Sequence, residues 1–101
     1  MAGRVFMTPE FRQALERNQG VHSLEIDYEL DSRTFSVRVL VAGSTRTALM
    51  VAIRKRHPEV TIAQVQRILA NLPWAENGLT PIEAAELAKE YMTAGAIVDI
   101  R

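Results

Sequence analysis

The sequence contains no cysteine, which excludes disulfide bonds, thiolate nucleophiles and cysteine-ligated metal sites. It has only two histidines, His22 and His57, and no motif places a carboxylate or a hydroxyl beside either of them. The five glycines never cluster into a phosphate-binding loop. We therefore predict a protein with no catalytic residues, no metal site and no cofactor, and hence not an enzyme.

Long apolar runs and an excess of charge are also missing. No segment approaches the roughly 20 apolar residues that a bilayer-spanning helix needs, and the first residues lack a run of signal-peptide length. We therefore expect a soluble cytoplasmic protein that does not bind membranes. The 12 basic residues balance the 12 acidic ones, so any attraction to nucleic acid requires a local basic patch.

Turn signals and alternation predict a helix and a hairpin in the first part of the chain. A Thr-Pro-Glu sequence at residues 8–10 supplies an N-cap, a first-turn proline and a dipole-matched acid, so a helix is expected to run to near Gly20. Residues 21–31 alternate between apolar and polar side chains, which predicts a half-buried strand. A second alternation over residues 35–41 predicts its hairpin partner, with Arg38 facing the acidic row of the first strand.

Three more helices follow from helical spacing and capping residues. Residues 45–57 place Leu49, Ala52 and Ile53 on an inward stripe, and Pro58 stops this helix. Thr61 caps the next helix, whose predicted core face consists of Ile62, Val65, Ile68, Leu69 and Leu72. The last helix opens with the capping box of Thr80, Pro81 and Glu83, and its predicted inward residues are Ala84, Leu87, Ala88 and Tyr91.

Two short strands complete the prediction, one near Trp74 and one at residues 96–100. The resulting order, αββααβαβ, favours an α+β fold in which helices cover a largely antiparallel sheet. At 101 residues, with no linker and no low-complexity tract, residues 1–101 are expected to form a single domain.

The most informative candidate site is the outward face of the helix at residues 45–57. A rotation of about 100° per residue, with Leu49 and Ile53 inward, turns Met50 and Val51 toward solvent. Exposed apolar side chains with a basic rim are typical of a small protein-binding surface for an acidic or mixed partner. The predicted partner-binding residues are Arg46, Thr47, Met50, Val51 and Arg54. Alternatively, the first helix or a second copy of the chain covers this surface.

A basic cluster supports a different hypothesis, which is RNA binding. Arg54, Lys55 and Arg56 are consecutive, and Arg67 follows on the next helix. These four residues are the candidate nucleic-acid contacts, although basic residues at a helix C-terminus also simply complement the helix dipole. No aromatic residue is interleaved with them in the sequence, so base stacking is not predicted.

An ordered series of residues resembles a known family. The series covers residues 35–37, 47–54, 68–73, 77–80 and 94–100, with Ala84 and Leu87 at matching intervals. Over residues 35–101 the chain resembles the C-terminal domain of the bacterial ribosomal stalk protein seven/twelve. The resemblance implies a β-α-α-β-α-β domain with a strand near Trp74, preceded here by an N-terminal extension of residues 1–34 that adds a helix and a strand.

The resemblance also implies a function, because in that family the outward side of the first helix recruits translational GTPases. Arg46, Met50 and Arg54 are compatible with the residues at the matching family positions. Val51 and Gln66 each replace a family lysine, and the family's N-terminal dimerisation domain and hinge have no counterpart. We therefore expect a stand-alone relative with an altered partner.

Our leading hypothesis from the sequence is a non-catalytic, adaptor-like protein-interaction module with a translation-related or ribosome-associated partner. The alternatives are an RNA-binding protein that uses the basic helix end around residues 54–67, and a homo-oligomeric structural subunit.

Overall fold

The computed structural model describes residues 3–19, 33–44 and 46–101. In these residues four helices and four strands form an α+β fold, as predicted from the sequence. In chain order the elements are β1 (Arg4–Met7), α1 (Pro9–Gln19), β2 (Phe35–Val41), α2 (Arg46–Arg56), α3 (Ile62–Ala70), β3 (Trp74–Leu79), α4 (Pro81–Thr93) and β4 (Ile97–Ile100). From β2 onward the order is β-α-α-β-α-β.

The four strands form one mixed sheet in the order β1-β4-β2-β3. β2 is antiparallel to both β3 and β4, whereas β1 is parallel to β4. The prediction of a largely antiparallel sheet therefore holds for the pairs that β2 makes. β1 was not predicted, because only Val5 of its four residues is turned toward the core and so no alternating pattern is visible.

The predicted hairpin needs a correction. The first of its two strands, at residues 21–31, lies outside the described residues. The second is β2, but its edges are occupied by β3 on one side and β4 on the other, which leaves no edge for a hairpin partner. Arg38 accordingly lies opposite Asp99 of β4, and not opposite an acidic row from residues 21–31.

The helices begin where the capping residues predict. The hydroxyl oxygen of Thr8 accepts a hydrogen bond from the backbone N–H of Phe11 at 3.2 Å, which caps α1. Thr61 with Gln64, and Thr80 with Glu83, form complete capping boxes for α3 and α4. Within its capping box, the pKa of Glu83 is lowered by the backbone N–H of Thr80 and, next, by the Thr80 hydroxyl.

The core lies between the helices and one face of the sheet. Phe11 of α1 packs edge-to-face on Phe35 of β2, with 5.1 Å between the ring centroids. The predicted inward residues of α4 are all buried, and so are the first three of the alternating apolar residues of β2. Val41 is 48 % exposed, because the pairing register of β2 with β4 shifts after Val39. Within the described residues, no helix is both long and apolar enough to cross a lipid bilayer.

The opposite face of the sheet carries an ion pair. Arg38 lies beside Asp99 on the neighbouring strand, and its guanidinium donates to both carboxylate oxygens, at 2.9 and 2.6 Å. Arg101 adds a contact to the same carboxylate at 3.3 Å. The hydrogen bonds from Arg38 hold the pKa of Asp99 below its ordinary value, even though Asp99 is largely buried.

We expect Gly43→Ala to destabilise the fold more than Gly78→Ala. Both glycines have a positive φ, of 79° and 73°, so an alanine costs about 1–2 kcal/mol of backbone strain at either position. At Gly43 the added Cβ would also meet the backbone carbonyl of Gly95, whereas at Gly78 it would enter open space. Urea unfolding of the two variants measures the difference, and equal losses of stability would show that the backbone yields at Gly43.

We expect Asp99→Asn to destabilise the protein at pH 7 but much less in acid. Because the folded-state pKa of Asp99 is lowered, its stabilising effect is complete above the unfolded value of about 3.9 and is lost as the pH falls through the folded value. Urea midpoints of the wild type and the variant should therefore converge between about pH 5 and pH 2. A gap that stays constant over this range would contradict the assignment.

Candidate functional site

Helix α2 is oriented by two fully buried residues, Leu49 and Ile53. The opposite face is turned to solvent, where Thr47 is exposed and Val51 has an exposed fraction of 63 %. Met50 lies between the two faces, half-buried and packed against the core, because it follows Leu49 by only about 100° of rotation. The predicted outward direction is therefore confirmed for Thr47 and Val51, and only in part for Met50.

The outward face of α2 forms one side of a shallow groove of about 520 Å³, here called the α2 groove. Among the described residues its lining consists of Thr47, Met50, Val51, Arg54, Lys55, Pro58 and Ile62. None of these side chains is acidic, and two are basic. Ile62 was predicted to lie in the core but is 52 % exposed, because Val65 and Leu69 set the inward direction of α3. Sequence reasoning thus missed the contribution of α3 to this surface.

Two arginines join α2 to α3. The guanidinium of Arg46 donates to the backbone carbonyl of Leu69 at 3.0 Å, in the last turn of α3, where carbonyls lack helical partners. Arg54 donates to the carbonyl of Val60, at 3.2 Å, in the turn between the helices. These two hydrogen bonds hold the helix pair together. Because both side chains are also exposed, they give the surface positive charge.

The structure does not bring the four candidate RNA contacts into one patch. Arg54 reaches toward the turn after α2, whereas Arg56 lies 3.4 Å from Glu76 of β3. Lys55 lines a cleft with acidic residues of α4, and Arg67 lies on the far flank of α3. The consecutive basic residues diverge because each helical step rotates the side chain by about 100°.

A second constellation surrounds Glu76, which is nine-tenths buried. One carboxylate oxygen lies 2.9 Å from Nε2 of His57 and 3.4 Å from Nε of Arg56. The other accepts a hydrogen bond from the Tyr91 hydroxyl at 2.6 Å. Burial, and then this bond to Glu76, raises the pKa of Tyr91. The fold therefore places a carboxylate beside His57 that no sequence motif indicated.

Glu76 and the three residues that contact its carboxylate, Arg56, His57 and Tyr91, are here called the Glu76 cluster. Sequence reasoning missed this cluster because its members come from distant parts of the sequence and from different elements. His57 follows α2, Glu76 lies on β3 and Tyr91 on α4. One local signal was available, because strand alternation places Glu76 on the same face as Trp74.

The hydrogen bonds of the Glu76 cluster link the end of α2, β3 and α4. Both oxygens of the carboxylate are already engaged, and the groups that engage them come from the end of α2 and from α4. The cluster therefore fixes where α2 ends relative to the sheet. Among residues 3–19, 33–44 and 46–101, no group of three side chains is arranged to hold a metal ion.

Comparison with models of protein families finds no match to this chain, and comparison with curated proteins finds none either. The resemblance to the ribosomal stalk domain therefore stays a prediction. The element order from β2 to β4 is the order that this resemblance implies.

We expect Glu76→Gln and Tyr91→Phe to be strongly coupled. Tyr91→Phe removes the hydroxyl donor, whereas Glu76→Gln removes the negative charge and one of the two acceptor oxygens, and each change costs about 1–3 kcal/mol of the free energy of unfolding. Because both changes weaken the same contact, the double variant should lose about 1 kcal/mol less than the sum of the single losses. Urea unfolding measures all three variants.

Glu86→Gln, an exposed glutamate on the same helix as Tyr91, serves as the control. It should change the free energy of unfolding by no more than about 0.5 kcal/mol. Strictly additive losses for Glu76→Gln and Tyr91→Phe would show that the two side chains act independently.

Proposed function

We propose that this chain is a non-catalytic protein-interaction module that binds its partner through the α2 groove. The observation that carries the proposal is the exposure of Val51, at 63 %, on the side of α2 opposite its buried residues. An aliphatic side chain with that exposure, next to the exposed Ile62 and the half-buried Met50, gives a partner apolar area to bury.

The charge of the surface supports a partner of defined chemistry. Arg54 and Lys55 border the apolar part of the groove, and no acidic side chain is among its described lining residues. The predicted partner-binding residue Arg46 is not among those lining residues, because its guanidinium donates to Leu69 of α3. An apolar centre with a charged rim is the usual anatomy of a protein interface. The partner proposed here therefore presents an apolar anchor flanked by acidic residues.

The arrangement of α2 and α3 favours a preformed surface. Arg46 and Arg54 bridge the two helices through backbone carbonyls, and Glu76 holds the end of α2 through His57 and Arg56. A surface held in this way loses little conformational entropy on binding. This property is suited to repeated, reversible binding to a folded partner.

The resemblance to the stalk domain leads us to propose a partner from the translation apparatus, such as a translational GTPase or a ribosome-associated protein. This part of the proposal also places the protein in the cytoplasm. Val51 stands in the groove where the family has a lysine, so the surface is more apolar and less basic than the family pattern. Gln66 also replaces a family lysine, but it is not among the described lining residues of the groove. We infer a partner that relies more on an apolar anchor and less on acidic residues than the family's partners do.

We expect Val51→Asp to weaken capture of the partner by at least about tenfold, because it puts a charge at the centre of the apolar patch. Immobilised wild type and variant would be compared by affinity capture from a lysate of the source organism, with quantitative mass spectrometry. The proteins lost would then be purified, translational GTPases first, and their affinities measured directly against both forms.

Val41→Asp is the matched control, because Val41 is also an exposed valine, at 48 %, but lies on the sheet and not in the groove. It should keep the partners that the wild type captures, and thermal unfolding would verify that both variants are folded. If Val51→Asp retains every partner, the α2 groove is not the binding site. A doubled mass in solution that Val51→Asp abolishes would instead assign the groove to a second copy of the chain.

A further inference from the structure

A second groove, of about 540 Å³, lies on the other flank of α3, between this helix and the start of β3. We call it the Trp74 groove. Its described lining residues are Glu59, Val60, Gln64, Arg67, Ile68, Asn71 and Trp74. It shares none of them with the α2 groove, and so the two surfaces are separate.

The aromatic ring of this groove is held in place by its neighbours. Trp74 is half-buried, and its ring has its centroid 6.0 Å from that of His57 and 6.3 Å from that of Tyr91. His57 and Tyr91 are in turn fixed by hydrogen bonds to Glu76. Part of Trp74 therefore lines the groove as an ordered apolar surface, on which a planar ligand can stack without first ordering the side chain.

Two polar side chains of α3 and its C-cap line the same groove, and one offers hydrogen-bond donors while the other offers an acceptor. The side-chain oxygen of Gln64 accepts from the backbone N–H of Thr61 at 2.8 Å, which leaves its amide hydrogens as donors. The side-chain nitrogen of Asn71 donates to the carbonyl of Arg67 at 2.8 Å, which leaves its oxygen as an acceptor. These two residues are two helical turns apart, about 10 Å along the axis.

Arg67 lies between Gln64 and Asn71 on the same side of α3 and supplies a cation. Glu59 is the only acid among the described lining residues, and one of its oxygens is 3.7 Å from Nδ1 of His57. The groove thus combines an aromatic surface, a donor, an acceptor and an arginine over about 10 Å.

We propose that the Trp74 groove binds a ribonucleotide unit, with the base stacked on Trp74 and the phosphate paired with Arg67. Aromatic stacking combined with a nearby cation is the usual way in which proteins hold an unpaired nucleotide. Gln64 and Asn71 contribute hydrogen bonds to the base or the ribose. Of the four basic residues predicted from the sequence as RNA contacts, this site contains only Arg67, and it adds the aromatic residue that the cluster lacked.

Intrinsic fluorescence tests the proposal directly, because Trp74 is the only tryptophan of the chain. The protein would be titrated with AMP, adenosine, ribose 5-phosphate and a single-stranded oligoadenylate, with correction for ligand absorbance. We expect saturable quenching by AMP with a Kd of about 1 mM or below, weaker binding of adenosine, and no quenching by ribose 5-phosphate. The absence of saturable quenching by both AMP and the oligonucleotide overturns the proposal.

The oligonucleotide arm distinguishes the two sources of such a ligand. Binding at least about tenfold tighter than that of AMP supports single-stranded RNA as the ligand, with an affinity that falls as salt is added. Equal affinities support a free nucleotide. Both outcomes place the base on Trp74.

Arg67→Gln should weaken AMP binding about fivefold to tenfold and leave adenosine binding unchanged, because only AMP carries the phosphate. Arg12→Gln removes the same charge from the exposed face of α1 and should leave both affinities unchanged. If Arg67→Gln and Arg12→Gln bind AMP equally well, the phosphate is not held at Arg67 and the assignment fails. Because Arg67 is outside the α2 groove, this result does not depend on the protein partner.

Discussion

The orientation of α2 is the constraint on which the rest of the molecule depends. Burial of Leu49 and Ile53 sets the rotation of the helix about its axis, and a rotation of about 100° per residue then fixes the direction of every other side chain on it. The Glu76 cluster fixes the other variable, the position of the C-terminal end of the helix relative to β3 and α4. A helix of 11 residues is marginal alone, so its outward face exists as a surface only because of these contacts.

Much of the fold could be predicted because its signals are local. The capping box of Thr80 and Glu83 identifies the start of α4, and alternation from Phe35 identifies β2, since each depends on residues within a few positions of one another. The outward direction of Val51 was predictable for the same reason. The burial of Met50 and Ile62 was predicted less well. Both lie at the flank of a helix, where burial depends on how the neighbouring helices pack. Helical periodicity alone does not contain that information.

The features that could not be predicted all depend on contacts between distant parts of the chain. β1 is a strand only because the last strand, β4, offers it an edge. His57 acquires a carboxylate partner because β3 carries Glu76 back to the end of α2, 19 residues later in the sequence. Trp74 and Arg67 show the same limitation, since they are seven positions apart and become neighbours only when α3 is packed beside β3. Motif spacing in the sequence therefore did not reveal which side chains lie together on the folded surface.

Helix α3 accounts for the separation of the two grooves. Val65 and Leu69 direct one side of this helix into the core, so its two flanks are left at the surface, one toward α2 and the other toward β3. The capping box then acts on both flanks. It sets Ile62 as the first helical residue, exposed toward α2, and it uses the oxygen of Gln64, which leaves the amide hydrogens of this groove-lining residue as donors. A ligand in one groove thus leaves the other accessible, while both depend on how α3 begins.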